Sequence, residues 1–295
     1  MVSAMVLALP ESASLARRVS DLAGMPLSAV ESRQFPDDET YLRIDAECTG
    51  KSVVLVCTLD HPNQKTLPLL FLADAARALG ARRVGLVTPY LAYLRQDRQF
   101  RAGEAVTSRT FARLLSGYVD WIVTIDPHLH RYGSLNEIYG VPSRVIHAAP
   151  VVAAWIAEHV ERPVLVGPDV ESAQWVTDVA SRVGAPSVVM RKERSSDQVV
   201  KVSAPDMEAY RQHTPVIIDD VVSSGHTLIE TVKCLVSAGL RAPVCMAVHA
   251  LFSKEAEQAL SNAGTAGIVT SNSVPHSTNM IDVVPLMIPA VLELC

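Results

Sequence analysis

The chain has 295 residues, 49% of them hydrophobic, enough to bury one large core or two ordinary ones. Its 26 basic and 31 acidic residues leave a net charge of −5, and no lysine- or arginine-rich run suggests a nucleic-acid surface. Five scattered cysteines without a CxxC pair point to neither a zinc site nor a disulfide framework. In chain order, the opening MVSAMVLALP is too short to span a bilayer and lacks a basic leader; the expectation is no membrane partner and a cytoplasmic setting with reduced thiols. Valine- and isoleucine-rich runs at 52–58, 83–89, 121–125, 163–167, 215–219, 242–249 and 267–270 read as buried strands. Between the first two, Leu69, Leu72, Ala73, Ala76 and Leu79 stand at helical spacing, with Gly80 as terminator. Strands alternating with helices predict α/β architecture, mainly parallel sheets flanked by helices.

Internal similarity changes the domain organisation expected. Leu9, Pro10, Ser12 and Ala13, followed by a helical pattern and Gly24-Met25-Pro26, are echoed by Gly167, Pro168, Ser172 and Ala173, then Gly184-Ala185-Pro186. Ile122-Val123-Thr124 before His128 parallels Ile268-Val269-Thr270 before His276. The simplest account is a duplication: residues 1–145, with 284–295 packed on them, and residues 146–283.

The most informative string is VIIDDVVSSGHTLIETV at 216–232, a strand running into two acids, a small-residue turn and a helix. Ligands of open α/β sheets sit beyond the carboxyl ends of strands. There Ser223, Ser224, Gly225, His226 and Thr227 would offer backbone N–H groups at a helix N-terminus, a natural seat for phosphate. Asp219 and Asp220 repel phosphate but suit the vicinal hydroxyls of a ribose whose 5-phosphate lies in the turn. The plainer alternative is a strand end followed by a capped helix.

This string resembles the phosphoribosyl diphosphate loop shared by type I phosphoribosyltransferases and ribose-phosphate pyrophosphokinases (phosphoribosyl pyrophosphate synthetases), with Ser223 where a third acid commonly stands. Segments in the first half favour the pyrophosphokinases. FPDDE at 35–39 resembles the family segment in which Phe35 would stack on adenine while Asp37 and Glu39 meet its amino group. TPYLAYLRQDRQFRAGEAVTSR at 88–109 resembles the nucleotide loop; Arg95 would clamp polyphosphate oxygens through its planar fork, and Gln96 and Asp97 would orient the nucleotide. TIDPHLH at 124–130 resembles the metal segment, implying His128 as a Mg2+ ligand and His130 near the triphosphate, with Pro127 replacing the usual aliphatic residue. VGPDVES resembles the segment of the family's other metal carboxylate, implying that role for Asp169. MRKERSSDQVV matches the family's catalytic loop through Lys192 and Arg194, whose alternate spacing puts both on one face of an extended segment.

The resemblance spans nearly the whole chain. It implies two similar type I phosphoribosyltransferase-like domains and Mg2+-dependent diphosphoryl transfer from ATP to ribose 5-phosphate. It places His128, Lys192 and Arg194 in the catalytic role, and a homo-oligomer built from dimers follows from the same resemblance. A non-catalytic regulatory homologue of the family and a type I phosphoribosyltransferase are the alternatives.

Overall fold

The computed structural model describes residues 3–194, 200–203 and 207–295. The chain divides into two compact units, Met1–Ile146 with Val284–Cys295, and His147–Val283. Among the described residues, no helix is long and apolar enough to cross a membrane.

In the first unit, β1 (Ala4–Ala8) leads through a short 3-10 turn into α1 (Ala13–Ala23). A hairpin of β2 (Val30–Gln34) and β3 (Thr40–Ile44) follows, then β4 (Ser52–Val56), α2 (Pro62–Ala78), β5 (Arg83–Val87), α3 (Thr107–Ser116), β6 (Trp121–Ile125) and β7 (Ser143–Ile146). The sheet order is β1-β4-β5-β6-β7, parallel throughout, so β4 and β6 are covered on both faces and wholly buried. This explains their unbroken apolar runs. Gly85 on β5 lies opposite Trp121 on β6, and a Cβ there would come within 1.9 Å of the indole. Glycine makes room for the large, fully buried Trp121.

In the second unit come α4 (Ala149–His159), β8 (Pro163–Gly167), α5 (Ala173–Val183) and β9 (Ser187–Val189). A hairpin of β10 (Arg191–Arg194) and β11 (Val200–Ser203) follows, then β12 (Thr214–Val222), α6 (His226–Ser237), β13 (Val244–Ala250), α7 (Lys254–Asn262), β14 (Gly267–Ser271) and β15 (Asn279–Ile281). Their sheet, β15-β14-β13-β12-β8-β9, is also parallel. The last helix, α8 (Val284–Leu294), belongs to the first unit, where Ser52 and Arg82 donate to the Cys295 carbonyl and Arg144 pairs with Glu293 at 2.7 Å.

The two units repeat one plan. Helices α1 and α5 each end on a left-handed glycine, Gly24 (φ 65°) and Gly184 (φ 71°), a conformation that glycine adopts without strain. The chain then returns to its own strand: Val6 N–H donates to the Pro26 carbonyl and Leu165 N–H to the Pro186 carbonyl, both at 2.9 Å. A hairpin precedes the next sheet strand in both. The sequence echo around Pro10 and Pro168 thus marks equivalent strand–helix corners.

Candidate active site

In the second unit, β12 carries Asp219 and Asp220 near its carboxyl end. Its neighbour β8, in register through Ile217 opposite Val166, runs out two residues before Asp169. Asp169 and Asp219 therefore issue from adjacent parallel strands at the same edge. Desolvation, then the charges of Asp220 and Asp169, push the Asp219 pKa well above the usual carboxylate range. One Asp169 oxygen accepts from the Glu171 and Ser172 N–H groups at 3.1 and 3.3 Å, bracing the entry to α5. Beyond Val222, Ser223 and Ser224 are exposed and Gly225 takes φ 72° as the N-cap of α6, with no side-chain cap on that helix. The helix start is thus approached by backbone and small side chains, and His226 and Thr227 form its first positions.

Among the described residues, the first unit has no such turn. Its equivalent strand, β4, leads into α2 through His61 and Pro62, and proline has no N–H to offer an anion. Where the second unit crowds three carboxylates, Asp60 is paired with the buried Lys65, which also donates to the Thr58 carbonyl at 3.1 Å.

The first unit builds something else at its sheet edge. The segment after β5 is tied to the end of β6: Thr88 N–H donates to the Val123 carbonyl and Ile125 N–H to the Pro89 carbonyl. Asp97 is buried, and both its carboxylate oxygens accept from Arg131 Nη1, at 2.8 and 2.9 Å. The carboxylate that the sequence assigns to nucleotide orientation is therefore engaged by a side chain, Arg131, that motif reading missed. Arg131 directly follows His130, but only the fold shows its partner. Arg95 is exposed, Gln96 half-buried, and the His128 and His130 rings meet edge to face at 3.8 Å.

On the hairpin, Phe35, Pro36, Asp37 and Glu39 line an open cleft of about 450 Å3, a size that suits a small ligand. Phe35 is 40% exposed, and Arg33 lies over its ring at 4.7 Å and over Tyr41 at 4.3 Å. Arg95, Gln96, Asp97 and His130 are not part of that lining. Lys192 and Arg194 lie on β10, opposite Val202 and Val200 of β11; the intervening 195–199 fall outside the described residues. Among the described residues, no group of three or more His, Cys, Asp and Glu side chains is arranged to hold a metal.

Backbone strain falls on the same segments. Of the non-glycine residues with positive φ among the described residues, Asp38 (67°) is in the hairpin turn, Tyr93 (62°) in the segment after β5 and Asp126 (31°) just after β6; the fourth is Arg162. Such conformations persist where surrounding contacts enforce them and cluster at functional loops.

Asp219→Asn is expected to raise thermal stability at neutral pH, because it removes a crowded charge while its amide oxygen can keep the bond from the Asp220 N–H (3.0 Å). Well below about pH 4 aspartate is protonated in both folded and unfolded chains, so the gain should vanish there. As pH rises, the unfolded chain loses its proton first, and the advantage of asparagine should grow until the folded group ionises. An advantage that did not vary with pH in thermal melts would contradict the carboxylate cluster.

Doubly repeated α/β units, with a glycine turn after an acidic strand end, define the phosphoribosyltransferase-type fold. Residues 4–118 match the model of the N-terminal domain of ribose phosphate pyrophosphokinase, and residues 143–282 match the phosphoribosyl transferase domain. The chain is 32% identical over 292 residues to a ribose-phosphate pyrophosphokinase of Methanopyrus kandleri, covering 98% of this chain and 99% of that one. It is 31% identical to that of Methanothermobacter thermautotrophicus, covering 96% and 98%. The phosphoribosylpyrophosphate synthetase of Mycobacterium smegmatis superposes with a TM-score of 0.86 at 25% identity, covering 99% of this chain and 100% of that one. The chain belongs to the ribose-phosphate pyrophosphokinase family, and it is an enzyme, a transferase of the diphosphokinase class.

Proposed function

We propose that the chain transfers the diphosphoryl group of ATP to ribose 5-phosphate, yielding 5-phosphoribosyl 1-diphosphate and AMP. The observation that carries this reading is the asymmetry of the two units. Among the described residues, the second unit has the acid pair running into a glycine-capped helix start where the first has His61 and Pro62, and the first unit carries an aromatic, acid-lined cleft.

The sugar phosphate lies with its 5-phosphate on Ser223, Ser224, Gly225, His226 and Thr227 and its diol on Asp219 and Asp220. Adenine stacks on Phe35, with Asp37 and Glu39 at its edge. Arg95, Gln96 and His130 hold the polyphosphate, and Asp97 contributes by fixing Arg131 beside them. The carboxylate of Asp169 suits Mg2+, which favours one or two carboxylates plus substrate phosphates and water over a closed protein cage. His128 and Asp169 would hold it, and when bound it neutralises charge on the phosphates. The anomeric hydroxyl attacks the β-phosphorus in line, AMP leaves, and Lys192 and Arg194 stabilise the charge that builds on the transferred group.

We further infer a homo-oligomer built from dimers. Leu67 and Phe71, four residues apart on one face of α2, are 57% and 47% exposed, an apolar face that a second copy could cover. The five free cysteines suit a reducing cytoplasm.

The test is product analysis with purified chain, ATP, Mg2+ and ribose 5-phosphate. AMP and 5-phosphoribosyl 1-diphosphate should accumulate in equal amounts. Release of ADP would mean transfer of one phosphoryl group, and absence of any product would favour the non-catalytic regulatory alternative. Incorporation of free purine bases would favour a phosphoribosyltransferase.

A further inference from the structure

At the carboxyl end of β13 one neighbouring strand is lost and the other retained. Pairing with β14 stops at Ala247 opposite Thr270, whereas pairing with β12 continues through Val221 opposite His249 to Val222 opposite Ala250. Where the next β14 rung would fall, two side chains substitute. The Val248 carbonyl accepts from both Ser271 Oγ and Ser273 Oγ at 2.7 Å, and Ser273 N–H donates to Ser271 Oγ at 3.1 Å.

His249 completes this seam. It is 1% exposed, the two serines are wholly buried, and its Nδ1 lies 2.9 Å from Ser273 Oγ. A serine hydroxyl has one proton, and that of Ser273 is directed at the Val248 carbonyl. Its oxygen must then accept from His249, which assigns the imidazole a proton on Nδ1. A buried imidazole needs such partners, since an unmatched polar group in this place would be strongly unfavourable.

The seam sits one strand away from the sugar-phosphate residues. His249 stands opposite Val221, and Leu251 N–H donates to the Val222 carbonyl at 2.8 Å. Val221 and Val222 are the link between the acid pair and the turn at Ser223. We propose that His249, held by Ser273, is a positioning residue for that turn: it fixes the end of β13 and, through the β12 pairing, the placement of the 5-phosphate donors. This rests on the assignment of ribose 5-phosphate to the second unit.

The test is calorimetric titration of the full chain with ribose 5-phosphate, together with KM for both substrates. Ser273→Ala removes both the bond to the Val248 carbonyl and the bond from His249, and should weaken ribose 5-phosphate by about tenfold and leave KM for ATP unchanged. Ser273→Thr, which keeps the hydroxyl, should restore binding. Should Ser273→Ala prove unstable, His249→Asn, whose amide can replace the Nδ1–H donor, should bind the sugar phosphate more tightly than His249→Ala. A Ser273→Ala protein with lowered melting temperature but unaltered sugar-phosphate binding overturns the proposal, and so does equal weakening of both substrates. Ser224→Ala and Thr227→Ala separate the two levels of inference. If neither weakens ribose 5-phosphate, the ligand site itself is misassigned. If both do and Ser273→Ala does not, only the role of His249 falls.

Discussion

Lys192→Ala and Arg194→Ala are each expected to lower kcat by on the order of 10² to 10³ while substrate binding is retained, the loss seen when one preorganised charged donor is removed from a developing charge. As the bond to the β-phosphorus breaks, charge moves onto the transferred group and the departing α-phosphate oxygen. A cation that meets this charge only in the transition state lowers the barrier without tightening the ground state. The prediction is therefore a split in which kcat and kcat/KM fall together and KM stays nearly constant. The backbone context suits such a role, because Lys192 and Arg194 lie on a two-stranded ribbon in register with Val202 and Val200 rather than inside the six-stranded sheet. Binding of ATP measured in the absence of ribose 5-phosphate supplies the control. If both variants lose affinity in proportion to turnover, these residues hold substrate and do not stabilise the transition state.

Lys65→Met is expected to destabilise the protein by about 3 kcal/mol, the lower end of the range for removing one partner of a buried ion pair. The lower end applies because Asp60 retains 13% side-chain exposure and has the His61 imidazole within 3.8 Å. The loss should reach function through a specific chain of contacts. Lys65 donates to the Thr58 carbonyl, Thr58 Oγ1 accepts from the Tyr90 N–H, and Leu59 N–H donates to the Tyr90 carbonyl. Tyr93 of the same segment bonds Asn63 at the start of α2. The segment bearing Arg95 to Asp97 is thus suspended from the loop that Lys65 fastens, so KM for ATP should rise while KM for ribose 5-phosphate holds. Urea denaturation of Lys65→Met alone and of Lys65→Met with Asp60→Leu tests the cause. The double variant removes the stranded carboxylate and should recover much of the stability; if it is as unstable as the single one, the ion pair is not the source of the effect.

The strands most legible in the sequence are those with apolar side chains on both faces. β4, β6 and β8 stand out as unbroken Val, Ile and Leu runs because the parallel sheets bury them from two sides. The hairpin of β2 and β3 has no such run: VESRQ and TYLRI contain no buried residue, being half-buried or exposed throughout, and their pairing, Arg33 opposite Tyr41, makes them strands. β7 and β15 escape notice for a different reason, being edge strands of four and three residues. β1 is short and lies at the very start of the described chain, where an apolar AMVLA reads as easily as a terminal stretch.

By itself the sequence determined the buried strands of both sheets, the duplicated plan, the family, and the chemical types in each motif, because periodicity and turn chemistry are local properties. Which groups meet was decided by tertiary structure. Parallel sheets order their strands out of sequence, so β8 lies beside β12, setting Asp169 near Asp219, 50 positions further along the chain. Asp97 found Arg131, and His249 found Ser273, by the same logic. Such pairs leave no mark in local spacing, because each partner satisfies its charge or hydrogen bond only once separate strand ends are brought to one edge.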